Sequence, residues 1–249
     1  MVCKRLHKVN KFLQPETVYG VPICMNSNER SSTTAALPLY TTGEEIANSI
    51  LHGIGTVLAI AGLCLLILKT MGFIGGKGAD MLAVVATVIF AVTMIGMFLT
   101  STLYHAIQHQ GAKLILRRLD HSVIYVFIAG TYTPLCLIGI GGAWGWSIFG
   151  VQWTLALCGI IFNILDRQAF KKAKVAAYLL MGWVIVVGFV PFIRSVSMEI
   201  VILTFAGGVA YSLGTIWYRK KNLRFNHAIW HFFVIIGAAC HWFAIWLLI

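Results

Sequence analysis

Seven apolar stretches divide the chain, near residues 46–68, 81–104, 122–140, 147–165, 175–193, 200–217 and 228–249. Each approaches or exceeds the roughly 20 residues, within a range of about 17 to 25, that an α-helix needs to cross a bilayer. None alternates polar and apolar positions with a period of two, so the pattern predicts helices, which satisfy their own backbone in lipid, and not the shorter dyadic strands of a barrel. The expected architecture is an all-α integral membrane protein, a seven-transmembrane helix bundle. Its least definite break is the Gly-rich link from Gly139 to Gly145, between spans three and four. Residues 1–43 are polar, with a Ser31 to Thr34 run and no apolar signal-peptide core, and read as a disordered tail ahead of a 44–249 membrane domain. Leu6, Phe12 and Leu13 among basic residues give only a weak hint of surface attachment.

Composition agrees with a membrane setting. Hydrophobic residues make up 59% of the chain and charged ones 11%, a balance too apolar for a soluble domain of 249 residues. The cysteines show no Cys-x-x-Cys spacing, and four of them (Cys64, Cys136, Cys158, Cys240) fall in apolar runs where they act as small hydrophobes. Neither a disulfide framework nor a thiolate metal site is expected.

Charge supplies the orientation. Lys4, Arg5, Lys8, Lys11 and Arg30 precede span one, Lys113, Arg117 and Arg118 follow span two, Arg167, Lys171, Lys172 and Lys174 follow span four, and Arg219, Lys220, Lys221 and Arg224 follow span six. Only Lys69, Lys77 and Arg194 fall on the other side. The positive-inside rule therefore puts the N-terminus in the cytoplasm and the C-terminus outside. The net charge of +11 is then accounted for by short loops facing anionic lipid, which makes membrane lipids the expected partners and excludes nucleic acid.

With that topology the polar exceptions gather at one end of the bundle. Glu45, Asn48 and His52, spaced i, i+3 and i+7, form one stripe at the cytoplasmic end of span one. Span two ends there with Ser101 and His105, span three begins there with Asp120 and His121, and span seven begins there with His227 and His231. Ionisable groups inside apolar segments are expensive and mark a site by default. His227 and His231 share one helical face about 6 Å apart along the axis, so two imidazoles can reach one ion. With His105 they make three neutral nitrogen ligands, which suit Zn²⁺ with an open fourth position but also copper, iron or nickel. Asp120 is placed to hydrogen-bond a water or a ligand histidine, and Ser101 stands one turn from His105.

Taken in order, Glu45-Ile-Ala-Asn48-Ser-Ile-Leu-His52, Ser101-Thr-Leu-Tyr-His105, Leu119-Asp120-His121 followed by Ala129 to Pro134, and His227-Ala-Ile-Trp-His231 with Gly237 to His241 resemble the hemolysin III proteins, the bacterial branch of the progestin and adipoQ receptor family. The resemblance runs from about Glu44 to the C-terminus. It implies seven spans, an inward N-terminus, a location in the plasma (inner) membrane, and zinc held by His105, His227 and His231 with Asp120 contacting the metal-bound water. It also implies kinship with proposed membrane hydrolases that include alkaline ceramidases, and members of the branch have been linked to haemolysis and to membrane lipid fluidity.

Each of these residues has a plainer reading beside it. His227 and His231 can form an interfacial polar cap with Trp230, His105 can flank a helix end with Tyr104, and Asp120 can pair with Arg117 or Arg118 at a helix N-terminus. His52 and His121 serve as interhelical hydrogen bonders near the site, and Glu45 and Asn48 hold span one against its neighbours. His241, about 15 Å beyond His231 along the helix, cannot share the same ion. His7 and His109 need no role. The leading expectation is zinc-assisted hydrolysis of a lipid amide or ester, with Asp120 taking the proton, in the service of membrane lipid homeostasis. A membrane-state sensor with structural zinc is the alternative, and a pore-forming cytolysin ranks third.

Overall fold

The apolar runs fold as helices in the computed structural model, which describes residues 40–75, 78, 80–165 and 168–249, with backbone alone over 168–172. The expected tail lies outside the described residues as far as residue 39, as do Lys77, Arg167 and the side chains of Lys171 and Lys172. The helices are α1 (Thr42–Thr70), α2 (Met81–Ala106), α3 (Gln110–Pro134), α4 (Gly142–Ile164), α5 (Gln168–Gly182), α6 (Phe189–Ser195), α7 (Met198–Arg219) and α8 (Asn226–Leu248). A π-helical turn, Leu135–Ile140, extends α3, and a short 3₁₀ turn, Val184–Val186, lies between α5 and α6.

Local chemistry explains where these helices start and stop. A capping box opens α1: the Thr41 hydroxyl accepts from the Glu44 N–H at 3.3 Å, and the Glu44 carboxylate accepts from the Thr41 N–H at 2.9 Å. A Schellman turn closes it, with the Phe73 N–H reaching the Leu68 carbonyl at 2.9 Å. His109, given no role from the sequence, caps α3 by accepting from the Ala112 N–H at 3.3 Å. Consequently α3 begins well before the expected span, and Lys113, Arg117 and Arg118 stand on its first turns rather than in a loop. Between the π-helical turn and α4, Gly141 (φ 66°) and Gly142 (φ 53°) turn the corner in a conformation that side chains disfavour.

Among the described residues, six helices are long and apolar enough to cross a membrane, and the segment from Ala173 to Ser195 is a further pair bent by 56°. The bend falls between Val186 and Phe189, upstream of Pro191. Pro191 occupies the third position of α6, where a helix has no donor to lose. Pro134 does mark an irregularity, since the π-helical turn follows it directly.

Helix α1 packs on α2 and α8, α2 on α3, α3 on α4, and α7 on α8. The burial pattern is inverted relative to a soluble protein. Ile46, Ile50, Val57 and Leu58 of α1 face outwards, whereas the buried stripe of the same helix includes Glu45, Asn48, His52 and Thr56. Phe90, Leu66, Leu135, Phe192 and Ile245 are fully enclosed and belong to one hydrophobic core cluster. Together with the long apolar helices, this is the pattern of a multi-span membrane protein.

Candidate metal centre

Two helices deliver the three central side chains. His105 lies in the last turn of α2, and His227 and His231 occupy the first two turns of α8. The start of α8 is fixed by a costly residue, Phe225, whose φ of 58° is left-handed without being glycine. Its N–H donates to the Glu44 carboxylate at 3.0 Å, so the first turn of α1 anchors the turn that aims His227.

One ligand nitrogen from each of His105, His227 and His231 lies within 4.8 Å of the others, an arrangement that can hold a metal ion. The ring centroids are 5.1 Å apart for His105 with each of the other two, and 4.4 Å for His227 with His231. His105 and His231 are almost wholly buried; His227 is partly exposed, but both of its ring nitrogens are buried.

Hydrogen bonding orients His105 for this task. Its Nδ1 lies 2.6 Å from Glu45 Oε2, so Nδ1 carries the proton and the Nε2 lone pair faces the other two rings. The other oxygen of Glu45 accepts from Lys113 Nζ at 2.6 Å, which balances the carboxylate in a site where both side chains are buried. Asn48 Nδ2 is 3.4 Å from the same Nδ1. Among the described residues, His105 Nε2, both nitrogens of His227 and Nδ1 of His231 have no hydrogen-bond partner. Buried imidazole nitrogens left without partners cost free energy unless something binds them, so this donor set fits a borderline-soft divalent ion.

Around the cluster, the remaining sequence candidates divide. Asp120 of α3, half-buried, interacts with Ser101 and His105 of α2, so all three meet at one edge of the cluster. His52 is 3% exposed, lies 3.6 Å from His231 between ring centroids, and leaves both ring nitrogens unpartnered. The His121 carbonyl accepts from the Tyr178 hydroxyl of α5 at 2.9 Å, and its side chain is within electrostatic reach of His227. His241 packs on Tyr211 with centroids 5.6 Å apart and touches no ring of the cluster. Lys113 and Tyr40 were not singled out in the sequence, yet Lys113 neutralises Glu45 and the Tyr40 ring lies 5.2 Å from His227.

Residues 40–242 match the family model described as Haemolysin-III related. The chain belongs to the hemolysin III family. Hemolysin-3 of Bacillus cereus is 43% identical over 202 residues, covering 81% of this chain and 90% of that protein. A Hemolysin-3 homolog of Bacillus subtilis (strain 168) is 42% identical over 207 residues, covering 83% and 95%. The human Monocyte to macrophage differentiation factor is 28% identical over 216 residues, covering 82% and 83%, which extends the kinship of this hemolysin III protein to the progestin and adipoQ receptor superfamily.

Proposed function

We propose that this hemolysin III protein holds Zn²⁺ through His105, His227 and His231 near the cytoplasmic face and hydrolyses an amide or ester bond of a membrane lipid, contributing to membrane lipid homeostasis. The bent pair α5–α6 counts as one span in this reading, giving seven. The N-terminus and the 1–43 tail are cytoplasmic, the C-terminus is outside, and the membrane is the plasma (inner) membrane. One observation carries the reading: three imidazoles buried together, with unpartnered nitrogens and with His105 locked by Glu45 so that Nε2 is free to bind.

When bound, Zn²⁺ supplies Lewis acidity for a carbonyl and lowers the pKa of water to about 7. The protein's own groups do the rest. Asp120, beside His105, accepts the proton released as water attacks the acyl carbon, then returns it to the leaving nitrogen or oxygen. Ser101 steadies the Asp120 carboxyl, while Glu45 and Lys113 keep His105 in one tautomer. The buried position excludes bulk water and admits substrate sideways from the lipid.

His52 favours a second reading, a membrane-state sensor with structural zinc. Its ring lies against His231, so a fourth imidazole is at hand to close the coordination sphere. Metal analysis of wild type, His105→Ala and His231→Ala, coupled to mass spectrometry of lipids incubated with each, separates the two. Hydrolysis requires one zinc per chain and a released fatty acid in wild type, both lost in the variants. Metal loss without any lipid change selects the sensor.

A further inference from the structure

We propose that Asn48 and His52 of α1 form a subsite beside the histidine cluster that binds a hydrogen-bond-donating group of the lipid, a free hydroxyl or an amide N–H. Both side chains belong to the buried stripe of α1 and are spaced i, i+4, so they share a face. That face flanks two of the three central histidines. Asn48 Nδ2 is 3.4 Å from His105 Nδ1, and the His52 ring centroid is 3.6 Å from that of His231.

The stripe is used unevenly. Glu45 engages both of its oxygens, with His105 and Lys113 at 2.6 Å each. Asn48, 0% exposed, and His52, 3% exposed, instead leave Asn48 Oδ1 and both imidazole nitrogens without a partner among the described residues. The His231 backbone lies near the His52 ring, but not in hydrogen-bonding geometry. Side chains that only tied α1 to its neighbours would be bonded to those neighbours, since an orphaned buried polar group is destabilising. Metal ligation does not account for them either. The ligand nitrogens that lie within 4.8 Å of one another come from His105, His227 and His231, and none comes from His52.

The chemistry of the orphaned atoms selects the ligand. A neutral imidazole has one N–H donor and one acceptor nitrogen in either tautomer, and the Asn48 carbonyl adds a second acceptor. A group with acceptor oxygens only, such as an ester, an ether or a phosphodiester, can meet the donor but leaves both acceptors unpaired. A hydroxyl or a secondary amide supplies the missing hydrogen together with an oxygen for the imidazole N–H. Because the subsite adjoins His105 and His231, that group stands close to the bond to be cleaved; this placement rests on the hydrolytic reading above, whereas binding does not.

The test is native mass spectrometry of the purified full chain in detergent, with zinc counted on the same samples. Two lipid pairs of matched chains are the probes: a dialkylglycerol against its O-methyl ether, and a secondary fatty amide against its N-methyl form. Leaving a buried acceptor unpaired lowers affinity about fivefold to a hundredfold. Wild type is expected to prefer the uncapped member of at least one pair by the lower factor or more. Preference in the first pair assigns a hydroxyl, and in the second an amide. Methylation also adds a carbon, so the variants carry the comparison. His52→Phe and Asn48→Leu, close in shape to the side chains they replace, should each shrink the preference, and His52→Gln, which keeps a donor and an acceptor, should retain part of it. His241→Phe, at a buried histidine outside the cluster, should leave it intact. No preference in wild type, as when trapped water satisfies these atoms, overturns the proposal. So does a preference that survives both His52→Phe and Asn48→Leu, or one that falls equally in His241→Phe. Four nitrogen ligands at the zinc edge of wild type, falling to three in His52→Phe, also overturn it and make His52 a ligand. Zinc-free wild type that keeps the preference refutes the metal reading and leaves the subsite standing; zinc without the preference does the reverse.

Discussion

Replacing Glu45 with Gln separates orientation of the metal ligand from stability of the bundle. The carboxylate touches two partners at 2.6 Å, His105 Nδ1 through Oε2 and Lys113 Nζ through Oε1. Loss of a carboxylate behind a ligand histidine typically lowers metal affinity 10- to 100-fold, about 1.4 to 2.8 kcal/mol. The same change strands Lys113, 5% exposed, as a buried cation, and breaking such a pair from one side costs about 3–5 kcal/mol of stability. Lys113→Met in the Glu45→Gln background removes that stranded charge without restoring the carboxylate. Thermal unfolding of the metal-free protein in detergent should therefore show a large loss in Glu45→Gln and recovery in the double variant. Chelator competition for zinc should show the affinity loss in both. If the double variant regains wild-type zinc affinity, or if Glu45→Gln keeps it within about twofold of wild type against the expected loss, Glu45 does not orient His105 and the reasoning fails.

Asp120→Asn should retain the full metal content and abolish release of fatty acid, read by lipid mass spectrometry, because the amide cannot accept the proton. Gly207→Ala should destabilise the α7–α8 pair by about 1–3 kcal/mol in thermal unfolding, since its Cβ would stand 2.6 Å from Cε1 of His241 and 3.1 Å from the Gly237 carbonyl. Glu44→Ala removes the capping box and the acceptor for the Phe225 N–H together, and should lower both stability, by about 1–2 kcal/mol, and zinc affinity, because α8 loses its anchor. Liposomes containing the pure protein should hold an entrapped dye, and leakage that rises with protein concentration would revive the cytolysin reading.

The convergence of His105, His227 and His231 was legible because its signals are local. His227 and His231 share a face at one helical turn, and the apolar spans place His105 at the same bundle end whatever the exact boundaries. The contact between Glu45 and His105 was not legible: the stripe of Glu45, Asn48 and His52 is a helix property, but which residue of α2 it meets depends on how two helices slide and rotate in packing. Lys113 was hidden because a basic residue after an apolar run reads as loop charge, whereas His109 caps α3 early and turns Lys113 into the bundle. The break between Val186 and Phe189 left no mark in an uninterrupted apolar run, and the proline in that run is not where the chain bends. Tyr40 precedes the first periodic residue, so nothing in the pattern tied it to a histidine almost two hundred positions away.

X-ray absorption at the zinc edge, on protein purified without added chelator, tests the central claim most directly. One zinc per chain with three imidazole nitrogens is predicted, with the metal lost or its nitrogen count reduced in His227→Ala and unaffected in His241→Ala. A protein without metal, a sulfur ligand at the edge, or an unchanged spectrum in His227→Ala would contradict it.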